Sequence, residues 1–377
     1  NIKFFSQIPN NFEIIPGDIY LIDGRFNFIK NFGNNGFDYV KYSLSKGVYF
    51  NLNFPQISYK IDNKNSFIYQ KIYDFKIGFL NIVYSSFPKD EANFLAGILM
   101  GHRVDIPPDL LEAYNNSGLT HLIAVSGFNI TIIVIFFSFI FIFIPIYIRF
   151  FLIVLIIIFF CILVGDNPAV IRAGIMGIVS YFIMTLGRNQ DSLAVFLFVA
   201  TIMLILNPMY INYDYGFILS FLAVIGLLYT QNFWKKIFFF LPSFFAIKES
   251  FVLTMSAMTT TLPIMLFGFG KLSIVAPIAN MLVGGIMPFA MFFGFLSIII
   301  NYFNNVFGYY FGFITYFILK FINEVARFLG GLKYGVYNYD FGIYTNYLII
   351  IYLIFLLFLI TYFKKFKNNL EIKEGKA

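Results

Sequence analysis

Polar side chains able to do chemistry are few in this chain and lie inside long apolar runs. The densest group is in residues 117–134, Ser-Gly-Leu-Thr-His-Leu-Ile-Ala-Val-Ser-Gly-Phe-Asn-Ile-Thr-Ile-Ile-Val, which carry His121, Ser126 and Asn129. On a straight helix Asn129 projects about 80° from His121, and Ser126 about 140° from it. The three share a broad polar arc, but His121 and Ser126 do not point together. Gly127 offers a second geometry, with a helix opening there, since irregular backbone at membrane depth is tolerated where protein or water satisfies it. A polar arc in a span reads as a functional site. The competing reading is that Ser126 and Asn129 bond to neighbouring helices and hold the packing.

Nucleophilic catalysis is the first chemistry to weigh. Ala124-Val125-Ser126-Gly127 lacks the leading glycine of a nucleophile elbow and its strand–turn–helix context. No carboxylate stands ready to orient His121, so an intramembrane serine hydrolase stays only as an alternative and no enzymatic activity is expected. Metal chemistry has little to stand on: His102 and His121 are the only histidines and Cys161 the only cysteine. An intrachain disulfide is excluded on the same count. There is no Gly-x-x-x-x-Gly-Lys phosphate loop, and no cofactor is called for.

Anion handling is the second. Gly165-Asp166-Asn167-Pro168 reads as a turn with Pro168 opening a helix. Arg172 then lies about 6 Å along the axis. It either snorkels back to pair with Asp166 or faces a wet cavity that takes an anionic substrate. Ala173 and Gly177 form a small-residue face suited to close packing, which would turn Arg172 into the bundle. Ser220, the run Thr259-Thr260-Thr261-Leu262-Pro263 and Asn280 are further polar points, each readable as packing or as part of a path. The candidate path is therefore His121, Ser126, Gly127, Asn129, Arg172, Ser220, Pro263 and Asn280. Glu324 and Arg327, three residues apart, are expected to pair with each other.

The elements that must position these residues are membrane helices. The 377 residues are 59% hydrophobic and 12% charged, with a mean hydropathy of +0.79. Soluble domains carry about 25% charged residues. From Leu119 onward about nine spans are expected, each near the ~30 Å of a hydrocarbon core. The first three are 119–142, 147–165 and 168–187. The next three are 192–207, 214–231 and 249–268, and the last are 275–301, 306–329 and 345–363. Gly284-Gly285 and Pro288 leave open whether 275–301 is one span or two half-helices, and 232–247 reads as an interfacial helix. The net charge of +7 suits an anionic partner, but cytoplasmic loops need Lys and Arg in any case. Arg149, Arg188, Lys235, Lys236 and Lys248 fall on one side with the basic tail 364–377. That side is read as cytoplasmic, and residues 1–85 as extracytoplasmic.

Those first 85 residues alternate short apolar and polar stretches with turn signals at Pro16-Gly17-Asp18, Asp23-Gly24 and Asn34-Asn35-Gly36, which suggests a small β-sheet or barrel. Residues 86–117 read as amphipathic helices broken at Pro107-Pro108, lying at the interface or packed on the bundle. Residues 118–363 form the transmembrane domain. No charged and apolar leader opens the chain, so a trimmed start or a fragment is expected.

Several stretches together resemble the ComEC/Rec2 competence family. Ser117–Asn129 is close to the family's Gly-Leu-x-His-Leu-x-Ala-x-Ser-Gly pattern and follows Leu95-Ala-Gly-Ile-Leu-Met-Gly101. Val170-Ile-Arg-Ala-Gly-Ile-Met176, Asn207-Pro208, Gly216-Phe-Ile-Leu-Ser-Phe-Leu-Ala223, Leu262-Pro263 and Pro277-Ile-Ala-Asn280 then follow in family order. Gly36-Phe-Asp-Tyr39, Tyr42, Leu44 and Lys46-Gly47 look like the end of the family's OB-like outer domain. Asn129 stands where a His is frequent, and Ile218 where a Gln is frequent. The family's nuclease-like domain falls outside this sequence, so no nuclease role is carried over. The resemblance implies passage of single-stranded DNA across the bacterial cytoplasmic membrane. Its implied partners are DNA, the lipid bilayer, an outer DNA receptor and a cytoplasmic helicase, with homo-oligomer assembly open. A transporter of another anionic or lipid substrate is the alternative.

Overall fold

A computed structural model of the chain describes residues 3–6, 18–30, 39–45, 47–63, 67–103, 106–123, 125–165, 168–187, 192–338 and residue 352. The N-terminal part holds a three-stranded sheet in the order β1 (Lys3–Ser6), β3 (Val48–Asn63), β2 (Asp18–Phe28), with α1 (Tyr39–Ser45) between β2 and β3 in sequence. β1 runs parallel to β3 and β2 antiparallel to it. Asp23-Gly24, which reads as a turn signal, lies inside β2 at a shift of register between Asp23 and Arg25. A Cβ on Gly24 would come 2.7 Å from Leu52 Cδ1 and 3.7 Å from Pro55 Cα. Glycine and proline thus meet at a bulge, where the ladder is already interrupted and a missing N–H costs least.

The sheet ends at Asn63. A β-rich domain is expected to reach residue 85, but Phe67–Ser86 is a helix, α2. Its Phe79, Leu80 and Val83, with Phe87 just beyond, fall at helical spacing and pack in the largest core. Two further helices follow, α3 (Lys89–Met100) and α4 (Pro108–Ser117). Residues 91–100 of α3 are all buried, so this helix is packed inside the bundle.

Next come α5 (Thr120–Ile123), α6 (Gly127–Ile140), α7 (Ile146–Val164), α8 (Pro168–Thr185), α9 (Ser192–Leu206), α10 (Tyr210–Tyr213) and α11 (Tyr215–Ile237). After them stand α12 (Ile247–Pro263), β4 (Lys271–Ser273), α13 (Ala276–Val283), α14 (Met287–Phe303), α15 (Asn305–Gly330) and β5 (Val336–Asn338). The stretch 119–142 is not one helix: α5 stops at Ile123, and α6 begins at Gly127 behind an extended Ser126. Nor is 232–247 a separate helix, because nothing between Tyr215 and Ile237 breaks α11, and it runs on through Trp234.

Among the described residues three helices are long and apolar enough to cross a membrane: Ile146–Val164, Tyr215–Ile237 and Val306–Gly330. Ala276–Val283 and Met287–Phe303, bent by 47° at the Gly284-Gly285 break, make a fourth if they are one span. Gly127–Ile140, Ala169–Thr185 and Ser192–Ile205 are apolar but shorter. The expected span at 345–363, the tail 364–377, Asp166 and Arg188 lie outside the described residues.

Three cores hold the bundle. The largest joins α2, α3, α4, α5, α13, α14 and α15, with Leu163 at the end of α7. A second lies between α8, α9 and α11, and a third between α6, α7 and α8, so α8 is common to both. Outward-facing Phe143, Ile205 and Phe303 are 97%, 76% and 81% exposed, a disposition suited to lipid and not to water.

Candidate functional site

The motif at 117–129 folds around two chain reversals. Gly118 closes α4 in the left-handed region, with φ of 74°. A Cβ there would come 2.4 Å from Ala276 Cβ, so only glycine lets α4 meet the start of α13. Ser273 Oγ donates to the Asn116 carbonyl at 2.7 Å, and Thr120 Oγ1 to Asn115 Oδ1 at 2.7 Å, fixing the same corner. His121 is exposed and turns back on this corner, its Nδ1–H donating to the Gly118 carbonyl at 3.0 Å.

The second reversal is Ser126-Gly127. Ser126 has the extended backbone of an N-cap residue and its Oγ lies 3.4 Å from Asn129 Oδ1. Asn129, only 1% exposed, donates from Nδ2 to the Ile98 carbonyl at 2.9 Å. That carbonyl belongs to the last turn of α3, where Gly101 N–H and His102 N–H close back on Gly97 and Ala96. Such a cap leaves other terminal carbonyls unpaired. Asn129 therefore satisfies an orphan acceptor and clasps α6 to α3. Among the described residues no hydrogen bond joins His121 to Ser126: His121 turns back on the Gly118 corner, and Ser126 turns to Asn129.

Arg172 lies in a second place. It is 5% exposed and donates from one terminal nitrogen to the Gly216 carbonyl at 2.9 Å. Its guanidinium sits 5.8 Å from the Phe217 ring centroid and feels the charge of Asp214. Asp214 is buried and caps α11, its Oδ1 accepting from Phe217 N–H at 3.0 Å. Asp before an apolar run is a readable cap signal, yet its service to Arg172 comes from a helix 42 residues away and is not readable. Ser220 stands one turn further along α11, bonded to the Phe217 carbonyl at 2.8 Å. Pro263 is buried at the end of α12, ahead of a π-turn at Ile264–Gly268 whose Gly268 abuts the Tyr215 ring. Arg172 and Ser220 thus share the first turns of α11, which the π-turn behind Pro263 reaches through Gly268.

Asn280 instead belongs with the motif corner: it is buried in α13 and donates to the Ala276 carbonyl at 3.0 Å, one turn from Gly118. The threonines serve packing. Thr260 Oγ1 donates to the Leu222 carbonyl at 2.6 Å, and Thr259 Oγ1 accepts from Trp234 Nε1 at 3.0 Å, both across α11 and α12.

Sequence reasoning missed a third polar group. Tyr114 OH donates to Asn323 Oδ1 at 2.5 Å while its ring stacks on Phe94 at 5.5 Å. Burial pushes the Tyr114 phenol well above its ordinary range, with Glu91 adding to the effect and Arg327 opposing it. Arg327 bonds Asp90 at 2.5 Å and not Glu324, because α3 brings a carboxylate to the side of α15 that Arg327 occupies.

The family model described as "Competence protein" matches residues 98–366. ComE operon protein 3 of Bacillus subtilis (strain 168) is 25% identical over 258 residues, 68% of this chain and 32% of that protein. The matched region thus spans about a third of that relative's length. No solved structure matches.

Proposed function

The chain belongs to the competence protein family, and from that premise we propose that it carries single-stranded DNA across the cytoplasmic membrane during uptake. In this reading the bundle makes nine spans, the sheet domain lies outside and the C-terminus inside. The observation that carries it is Arg172: a guanidinium 5% exposed within an apolar bundle, set against a backbone carbonyl and a neighbouring carboxylate. Bare phosphates in hydrocarbon cost prohibitively, so a polyanion needs fixed cations and polar groups along its way. Arg172 supplies the cation, with Ser220 one turn along α11 from the Gly216 carbonyl it holds.

The sheet supports the same reading. Phe26 and Phe28 are 58% and 74% exposed and lie near Phe50, with ring centroids 6.1 Å and 5.0 Å away. Tyr49 is also exposed. Exposed rings of this kind stack unpaired bases with little regard to sequence. Lys41 of α1 reaches over the Tyr213 ring at 5.6 Å, linking the sheet domain to the α10 end of the bundle, next to Asp214 and Arg172. An outer receptor that delivers the strand and a cytoplasmic helicase that draws it in are the partners this route requires.

The test is uptake in a naturally transformable host. Arg172→Ala, stably inserted, lowers DNA entry into the cytoplasm at least tenfold while surface binding stays intact. Arg172→Lys, which keeps the charge and loses the fork, falls between. Wild-type uptake by a stably inserted R172A variant overturns the assignment.

A further inference from the structure

The end of α11 away from Arg172 carries a surface that DNA passage does not use. α11 has 23 residues, so its axis runs roughly 34 Å, a little more than a hydrocarbon core of ~30 Å. With Asp214 at one membrane–water boundary, Ile237 reaches the other. Trp234, the single tryptophan, sits in the last turn there, donating to Thr259 and stacking on Phe238 at 5.8 Å. Phe238 meets Phe251 of α12 edge-on at 4.7 Å. Lys248 ties the loop to α12: its Nζ donates to the Phe239 carbonyl at 3.2 Å and its backbone N–H to the Pro242 carbonyl at 3.2 Å.

Within this tied loop Phe239, Phe240 and Phe244 are 76%, 66% and 70% exposed. Lys235 and Lys236 stand beside them in the last turn of α11. Outward phenyl rings on a braced backbone are costly in water and favourable at the acyl-chain boundary. Lysines at the same level reach outward to headgroup phosphates. We propose that residues 234–248 form an interface anchor that binds anionic phospholipid. The rings enter the lipid, and Lys235, Lys236 and Lys248 hold the headgroup charge. The proposal needs α11 to cross the membrane and does not need DNA passage.

Trp234 reports on this loop alone. The full chain is placed in liposomes of zwitterionic lipid doped with acyl-brominated phosphatidylglycerol or, at equal mole fraction, acyl-brominated phosphatidylcholine. Bromine in either lipid quenches Trp234, and the anionic lipid quenches it several-fold more. K235Q, K236Q and K248Q each reduce that preference, by up to roughly fivefold per lysine, while K235R/K236R keeps it. F239S/F240S/F244S weakens quenching by both lipids. Inorganic phosphate and a single-stranded oligonucleotide in solution leave the preference unchanged. Equal quenching by the two headgroups, displacement by phosphate or oligonucleotide, or unaltered quenching in the serine variant overturns the proposal. So does quenching by aqueous iodide without quenching by lipid, which would mark the loop as a face for a soluble protein.

Discussion

Asn129 acts on the fold through one donated bond to Ile98, in a place closed to water. Removing the donor leaves a buried carbonyl unpaired, at a cost of about 1–3 kcal/mol. Asn129→Leu should therefore lower the unfolding midpoint in detergent. Asn129→His, which places there the residue frequent in the resembled family, should keep most of the stability, because an imidazole N–H can make the same donation. Equal loss in both variants would show that the amide's second contact, with Ser126, matters more. Tyr114 gives a pH signature. Its folded phenol is held above the ordinary value of 10.0, so its contribution is complete below that value and is lost as pH rises toward the folded one. Wild type should lose stability above pH 10 more steeply than Tyr114→Phe, which itself costs about 0.5–1.5 kcal/mol at neutral pH.

At the scale of elements, α11 and α12 meet backbone to backbone at Gly226. A Cβ on Gly226 would come 2.2 Å from the Ser256 carbonyl oxygen, and Thr230 bonds its own helix beside it. Gly226→Ala must push the helices apart, which costs about 1–3 kcal/mol and should appear as a lower melting temperature in detergent. It should also weaken the Trp234–Thr259 bond, read as a red-shifted emission. An unchanged melting temperature and emission would mean that the pair slides without strain. Three helices were readable within a residue or two: 147–165, 192–207 and 306–329 against Ile146–Val164, Ser192–Leu206 and Asn305–Gly330; the span expected at 214–231 runs on to Ile237. The stretch 119–142 was not, because its apolar pattern continues across Ser126-Gly127 while the backbone breaks there to bring Asn129 against α3. α2 was missed for a related reason, its apolar residues being interleaved with Lys71, Asp74 and Lys76 in a pattern that passes for strand alternation.

For the whole molecule, α7 joins the largest core to the third, and α8 is the joint between the third and the second. Arg172 pins that joint to the start of α11. The orientation of the bundle can be read by labelling. With Cys161 replaced by Ser, a cysteine at Phe28 should react with a membrane-impermeant maleimide on intact spheroplasts. One at Phe240 should react only after permeabilisation. The reverse pattern would invert the topology and place Arg172 at the inner face.

Composition and the apolar runs determined by themselves that this is a chain of apolar, membrane-type helices, since hydropathy and helical period are local properties of the chain; the order of its motifs marked the resemblance to the competence family, which the family match bears out. They also picked out Asn129, Arg172 and Asn280 as polar residues carried into apolar surroundings. Only the tertiary structure decided what each polar group does. Asn129 meets a carbonyl 31 residues away, and Tyr114 an amide 209 residues away. Arg327 takes a carboxylate 237 residues away in place of the Glu324 beside it. In a low-dielectric interior a polar side chain must take whichever complementary group packing brings within reach, and sequence spacing does not say which group that is.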